Sequence, residues 1–101
     1  MKAIIDGKKY NTETARRLGF WCSENGWRDF SHVEETLYRK KTGEYFIFGE
    51  GGPMSKYRKN AGTNIFSSSK FIPVTEAEAK KWAEKHLTAD EYEEIFGEVE
   101  E

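Results

Sequence analysis

The side chains best suited to nucleophilic catalysis or metal binding are few and lie far apart in this chain. They are Cys22, His32 and His86, and no two of them have metal-ligand spacing such as H-x-x-x-H or C-x-x-C. A nucleophilic cysteine also needs an adjacent histidine that a third group orients. We therefore expect no metal, no cofactor and no catalytic residue. Cys22 is expected to be a small buried hydrophobic residue, and His86 a packing residue.

The adjacent carboxylates Glu34 and Glu35 are the next candidates, because carboxylates beside His32 could carry out acid–base chemistry. Neighbouring residues on a β-strand point to opposite faces of the sheet, so these two groups cannot act on one substrate. The sequence thus favours a protein that is not an enzyme and has no small-molecule substrate.

The segment Gly49–Pro53 reads GEGGP, and its glycines make a phosphate-binding loop the first hypothesis. Such loops follow patterns such as G-x-x-x-x-G-K-[ST] or G-x-G-x-x-G, which this segment does not match. Pro53 has no amide hydrogen, and Glu50 would repel a phosphate. We therefore predict a turn at the end of a strand, with Gly51 or Gly52 at positive φ.

Two groups of basic residues could together form a nucleic-acid-binding surface. They are Arg39, Lys40 and Lys41 in one segment, and Lys56, Tyr57, Arg58 and Lys59 in another. Cations with an aromatic residue among them suit a phosphate backbone and a stacked base. The isoelectric point of about 5.8 is low for such a module, so nucleic-acid binding is kept as the alternative function.

Charge is distributed unevenly along the chain. All 16 Lys and Arg residues precede position 86, together with 11 of the 18 acids, whereas residues 90–101 contain the other seven acids and no base. Helical spacing separates an acidic face from the apolar residues Tyr92, Ile95, Phe96 and Val99. We define the acidic face as Asp90, Glu91, Glu94, Glu98 and Glu100. It is the predicted binding surface for a basic partner, because such asymmetry is typical of interaction surfaces.

The N-terminal half is predicted to form a hairpin, a helix and two strands. Asp6-Gly7 tolerates the positive φ of a tight hairpin turn. A helix of about three turns is predicted to begin near Asn11 and to end near Asn25-Gly26. Its buried face would hold Ala15, Leu18 and Trp21 or Cys22. After a loop over residues 27–33, the predicted strands are Glu35–Arg39 and Glu44–Phe48, the second of them central in the sheet, joined through a left-handed Gly43.

The C-terminal half is predicted to continue the sheet and to end in two helices. A long polar segment, with Ser67, Ser68 and Ser69 as flexible loop, leads to Phe71–Val74, which is expected at a sheet edge because Pro73 cannot donate a hydrogen bond. Capping boxes at Thr75-Glu78 and Thr88-Glu91 predict two consecutive helices. The apolar stripe of the first is Ala79, Trp82, Ala83, His86 and Leu87. The fold class is thus α+β: a small antiparallel sheet, an N-terminal hairpin and helix, and two C-terminal helices on one face.

The chain of 101 residues is of single-domain size, so residues 1–101 are predicted to form one domain. No apolar run is long enough for a membrane span, and the first ten residues do not resemble a signal peptide. A single cysteine excludes an internal disulfide and fits a reducing cytoplasm.

Three stretches, DGKKYNTETA, ETLYRKKTGEYFIFGEGGPMSKY and IPVTEAEAKKWAEKH, resemble a group of short proteins from phages and other mobile elements of Gram-positive bacteria. The resemblance covers almost the whole chain. It implies a small cytoplasmic protein of the bacterial host that binds another macromolecule. The most specific function that the resemblance implies is that of an anti-CRISPR-type inhibitor of a host defence nuclease complex.

Overall fold

The computed structural model of the protein describes residues 1–23, 31–52, 56, 57, 59–61, 64–66 and 68–101. These residues form eight strands followed by two helices. In order these are β1 (Lys2–Ile5), β2 (Lys8–Asn11), β3 (Arg16–Cys22), β4 (Val33–Arg39), β5 (Tyr45–Gly51), β6 (Lys59–Ala61), β7 (Asn64–Phe66), β8 (Ser68–Val74), α1 (Glu76–His86) and α2 (Ala89–Phe96).

The centre of the fold is a four-stranded antiparallel sheet in the order β3-β4-β5-β8. Leu37 and Ile47 are direct neighbours in β4 and β5, and both are buried against Ala79, Trp82 and Ala83 of α1. Burial of these apolar side chains holds the helices on one face of the sheet. The predicted α+β class, the central position of β5 and the two C-terminal helices are confirmed.

The opposite face of the sheet is covered in part by the β1–β2 hairpin. Tyr10 packs edge-to-face against Phe46, with ring centroids 5.5 Å apart, and Phe46 is fully buried. The hairpin turn has Asp6 at φ 52° and Gly7 at φ 76°, the left-handed pair that the sequence predicts there. In the β4–β5 turn Gly43 has φ 94°, also as predicted.

The predicted N-terminal helix is wrong, because Arg16–Cys22 is the edge strand β3. A β-bulge interrupts its pairing with β4 between Arg17 and Gly19. The extra residue brings Leu18 and Trp21 to the same side of the sheet, where both pack against the core. An apolar spacing of three residues, which is typical of a helix, therefore arises here from a strand.

The strand environment also corrects two smaller predictions. Cys22, which was expected to be buried, is exposed at the end of β3. The glycine segment does not begin with a turn: Gly49 and Gly51 are paired residues of β5, so the strand runs past the predicted boundary and Gly51 is extended. Pro53 lies outside the described residues, as do residues 27–30 of the predicted loop.

At the C-terminal end of the sheet, Ser68 and Ser69 begin β8 and are not a loop; Ser67 is outside the described residues. Pro73 lies in β8, an edge strand of the four-stranded sheet, as predicted. Both capping boxes are present. The Thr75 hydroxyl accepts from the Glu78 amide at 3.1 Å, and the Thr88 hydroxyl accepts from the Glu91 amide at 3.2 Å.

Candidate functional site

The acidic face is divided by the end of α2. Asp90, Glu91 and Glu94 are on the helix, whereas Glu98 and Glu100 follow Gly97, which ends it with φ 92°. Glu91 is engaged within the fold, because its carboxylate accepts from the Thr88 amide at 3.0 Å. Hydrogen bonds to the Thr88 backbone and side chain lower the pKa of Glu91.

The chain after Gly97 does not continue the apolar stripe of α2. Tyr92 and Phe96 pack together with ring centroids 5.1 Å apart, and Phe96 reaches Tyr45 of the sheet. Val99, predicted to lie in the same stripe, is 60% exposed. Its placement differs because the left-handed turn at Gly97 leads the chain away from the helical path.

A cleft of about 490 Å³ lies between α1, α2 and the last residues of the chain. Its apolar lining includes Leu87, Tyr92 and Val99. Its acidic lining consists of Glu84, Glu93 and Glu101. We call it the C-terminal cleft. The Val99 amide donates to the Glu93 carboxylate at 3.4 Å, which holds the terminal segment at the cleft edge.

The acids around this cleft are not neutralised by the described cations. None of the seven acids from Asp90 to Glu101 forms an ion pair with any Lys or Arg that the structure describes. Among the described residues, the cleft therefore combines apolar side chains with acids that have no Lys or Arg partner.

The described members of the predicted basic cluster lie in two separate places. Arg39, Lys40 and Lys41 lie at the β4–β5 turn. Lys56 instead binds Glu35 at 2.9 Å, near the other end of these strands, and Tyr57 is buried. Arg58 is outside the described residues, and Lys59 is described only as a backbone residue of β6.

The structure places two other cations beside the β4–β5 turn. Arg16 is the direct cross-strand partner of Arg39, and Arg17 follows it in β3. Sequence reasoning missed them because it assigned this segment to a helix. Gly19 in the middle of the segment and the β-prone Phe20-Trp21-Cys22 were the signals against that assignment.

A buried polar cluster surrounds the carboxylate of Glu35, which is only 3% exposed. One oxygen accepts from the Trp82 indole at 3.2 Å, and the other from the Tyr57 hydroxyl and from Lys56. His86 Nε2 lies 3.8 Å from the first oxygen. Residues separated widely in sequence thus converge on one buried charge.

The protonation states of this cluster follow from its contacts. Burial alone would raise the pKa of Glu35, but hydrogen bonds from Lys56, Tyr57 and Trp82 outweigh it and hold the pKa below its usual value. Burial and the hydrogen bond to Glu35 raise the pKa of Tyr57. Burial lowers the pKa of His86, so its imidazole is neutral at pH 7. Its ring packs on Trp21, with centroids 4.1 Å apart.

The Glu35 cluster is a structural connection between the sheet, α1 and residues 56–57. Both carboxylate oxygens accept hydrogen bonds, which fix the orientation of this buried group. Tyr57 lies directly over Gly49, where a β-carbon would overlap the Tyr57 ring. Glu34 points to the other face of the sheet and lies 3.5 Å from His32, so the two adjacent carboxylates are separated as expected.

Within the part of the chain that the structure describes, no group of three His, Cys, Asp or Glu residues could hold a metal ion. None of the described helices is long and apolar enough to cross a membrane. Comparisons with protein-family models, with curated proteins and with solved structures find no match for this chain.

Proposed function

We propose that this protein is a small binding protein without catalytic activity, and that a basic surface of a protein partner occupies the C-terminal cleft. The observation that carries the proposal is the cleft itself, in which Leu87, Tyr92 and Val99 lie among acids that no described cation neutralises. Apolar contact area supports binding, and uncompensated charge selects a partner of opposite sign.

Exposure of Val99 supports this proposal. A valine that is 60% exposed contributes little to the core, yet it lies at the rim of an apolar cleft. Residues 97–101 are outside any helix, so this segment can adjust to a bound chain with little loss of packing. A lysine- or arginine-rich segment with one or two apolar residues matches the chemistry of this cleft.

The sharper form of the proposal is inhibition of a host defence nuclease complex in the bacterial cytoplasm, of the anti-CRISPR type. Its support is the resemblance to short proteins of mobile elements, together with the acidic cleft. Surfaces that bind nucleic acid are basic, so an acidic protein that covers such a surface competes with the nucleic acid.

The experiment is affinity capture from a lysate of a Gram-positive host after nuclease treatment, with the captured protein quantified for matched variants. Val99→Ser removes apolar contact at the rim without adding charge and should reduce capture of the partner at least about tenfold. Ile4→Ser is the control, because Ile4 is exposed to a similar extent, 69%, but lies in β1.

Charge is tested in the same assay. Glu101→Lys should weaken capture more than Glu13→Lys, because both residues are exposed but only Glu101 lines the cleft. Equal capture by the cleft variants and their controls would disprove binding at this cleft. Loss of all captured protein after nuclease treatment would show that nucleic acid, and not protein, is the partner.

A further inference from the structure

A second surface of the protein carries the opposite charge. At the end of the sheet where β3 begins and β4 ends, the exposed cations are Arg16, Arg17, Arg39 and Lys41, which we call the arginine end. Its residues come from two strands and one turn, and α2 separates them from the C-terminal cleft. Tyr92 and Glu93 line the cleft, whereas Glu94 and Ile95 face the arginines.

The pairing of β3 with β4 sets two arginines directly opposite each other. Arg16 and Arg39 are cross-strand partners, and like charges in that position destabilise a sheet. Among the described residues, no member of the arginine end is in an ion pair. Lys40, in contrast, is engaged, since it lies 3.5 Å from Glu44 and over the Tyr10 ring.

Two of these arginines contact aromatic rings. The Arg39 guanidinium lies 5.4 Å from the centroid of Tyr45, and that of Arg17 lies 5.3 Å from Phe20. Such contacts leave the positive charge and most of the N–H donors available to a ligand. These two contacts thus orient the Arg17 and Arg39 guanidinium groups without neutralising them.

A hollow of about 380 Å³ lies at this end of the sheet. Its cationic lining is Arg16, Arg39, Lys40 and Lys41, and its remaining described lining is Thr14, Ala15 and Gly43. This lining contains no carboxylate. A smaller hollow beside it, of about 250 Å³, adds Arg17 and a single acid, Glu94. A phosphate would meet several donors here and little repulsion.

Phe20 extends the surface with an aromatic side chain that is 40% exposed. It lies on the face of the sheet opposite to Arg16 and Arg39, but β3 is an edge strand, so both faces are reached from the same side. A strand of nucleic acid can therefore cross this edge. Aromatic rings next to arginine are suitable platforms for unpaired bases.

We propose that the arginine end binds single-stranded nucleic acid, with phosphates at Arg16, Arg39 and Lys41 and a base stacked on Phe20 beside Arg17. The proposal is independent of the C-terminal cleft, because the two surfaces use different residues and lie on different sides of α2. A second copy of this chain, bound through its acidic residues 90–101, would also satisfy the charges of the arginine end. Such self-association would not require an exposed ring at Phe20, whereas binding of an unpaired base does.

The test is fluorescence anisotropy of a labelled single-stranded oligothymidylate at low salt, followed by a salt titration. The double variant Arg16→Gln/Lys41→Gln should lower affinity about tenfold or more and reduce the slope of log K against log salt by about 1.4. Lys81→Gln/Lys85→Gln is the control, because it removes the same charge from exposed positions of α1. This control variant should change affinity by less than about twofold.

Phe20→Ala tests the stacked base and should lower affinity about fivefold or more, whereas Ile4→Ala, at a comparably exposed apolar position, should not. Equal losses in the two double variants, or no binding at low salt, would overturn the proposal. Unchanged affinity in Phe20→Ala would disprove the stacked base and would mean that the surface binds polyanions in general. Salt-sensitive self-association in sedimentation, without oligonucleotide binding, would assign it to a second copy of the chain.

Discussion

The indole Nε1 of Trp82 donates a hydrogen bond to the carboxylate of Glu35 across 3.2 Å, joining the middle of α1 to the middle of the sheet. Trp82 is 8% exposed and Glu35 is 3% exposed, so the bond is shielded from water. It combines the largest apolar side chain of α1 with a carboxylate buried in the core.

Truncation of Trp82 should therefore be among the most costly changes in this protein. Trp82→Ala should lower the free energy of unfolding by about 3–5 kcal/mol, through lost burial and a cavity. Trp82→Phe keeps much of the apolar volume but removes the donor to Glu35, and should cost less. Urea denaturation of the two variants measures the difference. A loss below about 1 kcal/mol in Trp82→Ala would mean that this face of α1 is not packed against the sheet.

Stability should depend on pH through Glu35. Its pKa in the folded protein is below the ordinary value of 4.5. The ionised form therefore stabilises the protein above about pH 4.5, and this stability is lost as the pH falls through the folded pKa. Glu35→Gln should cost about 1–3 kcal/mol at neutral pH, since buried donors lose their charged acceptor.

Urea titrations at neutral and acid pH should show the two proteins converging in stability at acid pH. His86 acts in the same direction at higher pH, because its folded pKa is below 6.5. His86→Gln should remove the part of the acid destabilisation that begins near that value. A difference between wild type and Glu35→Gln that is equal at both pH values would contradict the linkage.

Two glycines allow a matched comparison of close packing. A β-carbon at Gly49 would overlap the Tyr57 ring, whereas one at Gly19 would meet the flexible end of Leu87 at 2.8 Å. Gly49→Ala should destabilise by about 1–3 kcal/mol, and Gly19→Ala by less, because Leu87 can move. Combining Gly49→Ala with Tyr57→Ala should cost less than the sum of the two single changes. Strict additivity of unfolding free energies would place Tyr57 away from Gly49.

The acids of α2 and its terminal segment should differ in their effect on stability. Glu94 lines the hollow that holds Arg16 and Arg39, so Glu94→Lys should lower the melting temperature by about 2 °C. Glu98 lies past the negative end of α2, where a cation is favoured. Glu98→Lys should therefore leave the melting temperature unchanged or raise it. Thermal melts followed by circular dichroism measure both. Equal effects would show that Glu94 has no electrostatic contact with the arginines.

Features that depend on neighbouring residues could be predicted from the sequence. The strand β3, which depends on residues distant in the chain, could not. The Asp6-Gly7 turn and the capping boxes at Thr75 and Thr88 depend on residues at most three positions apart. The strand Arg16–Cys22 depends instead on pairing with β4, and its bulge imitates helical spacing. Local periodicity could not distinguish the two structures.

The candidate sites were predictable to different degrees for the same reason. The acidic face was visible as a run of charge, although the end of α2 at Gly97 divides it. The arginine end was not visible, because Arg16 meets Arg39 only once β3 is a strand. Glu35 and Trp82 are 47 positions apart in the chain, and no local sequence pattern predicts such a contact.

The bulge in β3 and Pro73 in β8 also limit edge-to-edge aggregation of folded molecules at high concentration. These two strands are the edges of the four-stranded sheet, where unpaired backbone groups could otherwise accept a strand from another chain. The bulge distorts one edge, and Pro73 removes a donor from the other. The native sheet is therefore a poor template for growth into fibrils. The segment Phe46-Ile47-Phe48 can nucleate such growth only after β5 has left the sheet, so aggregation should follow the rate of unfolding.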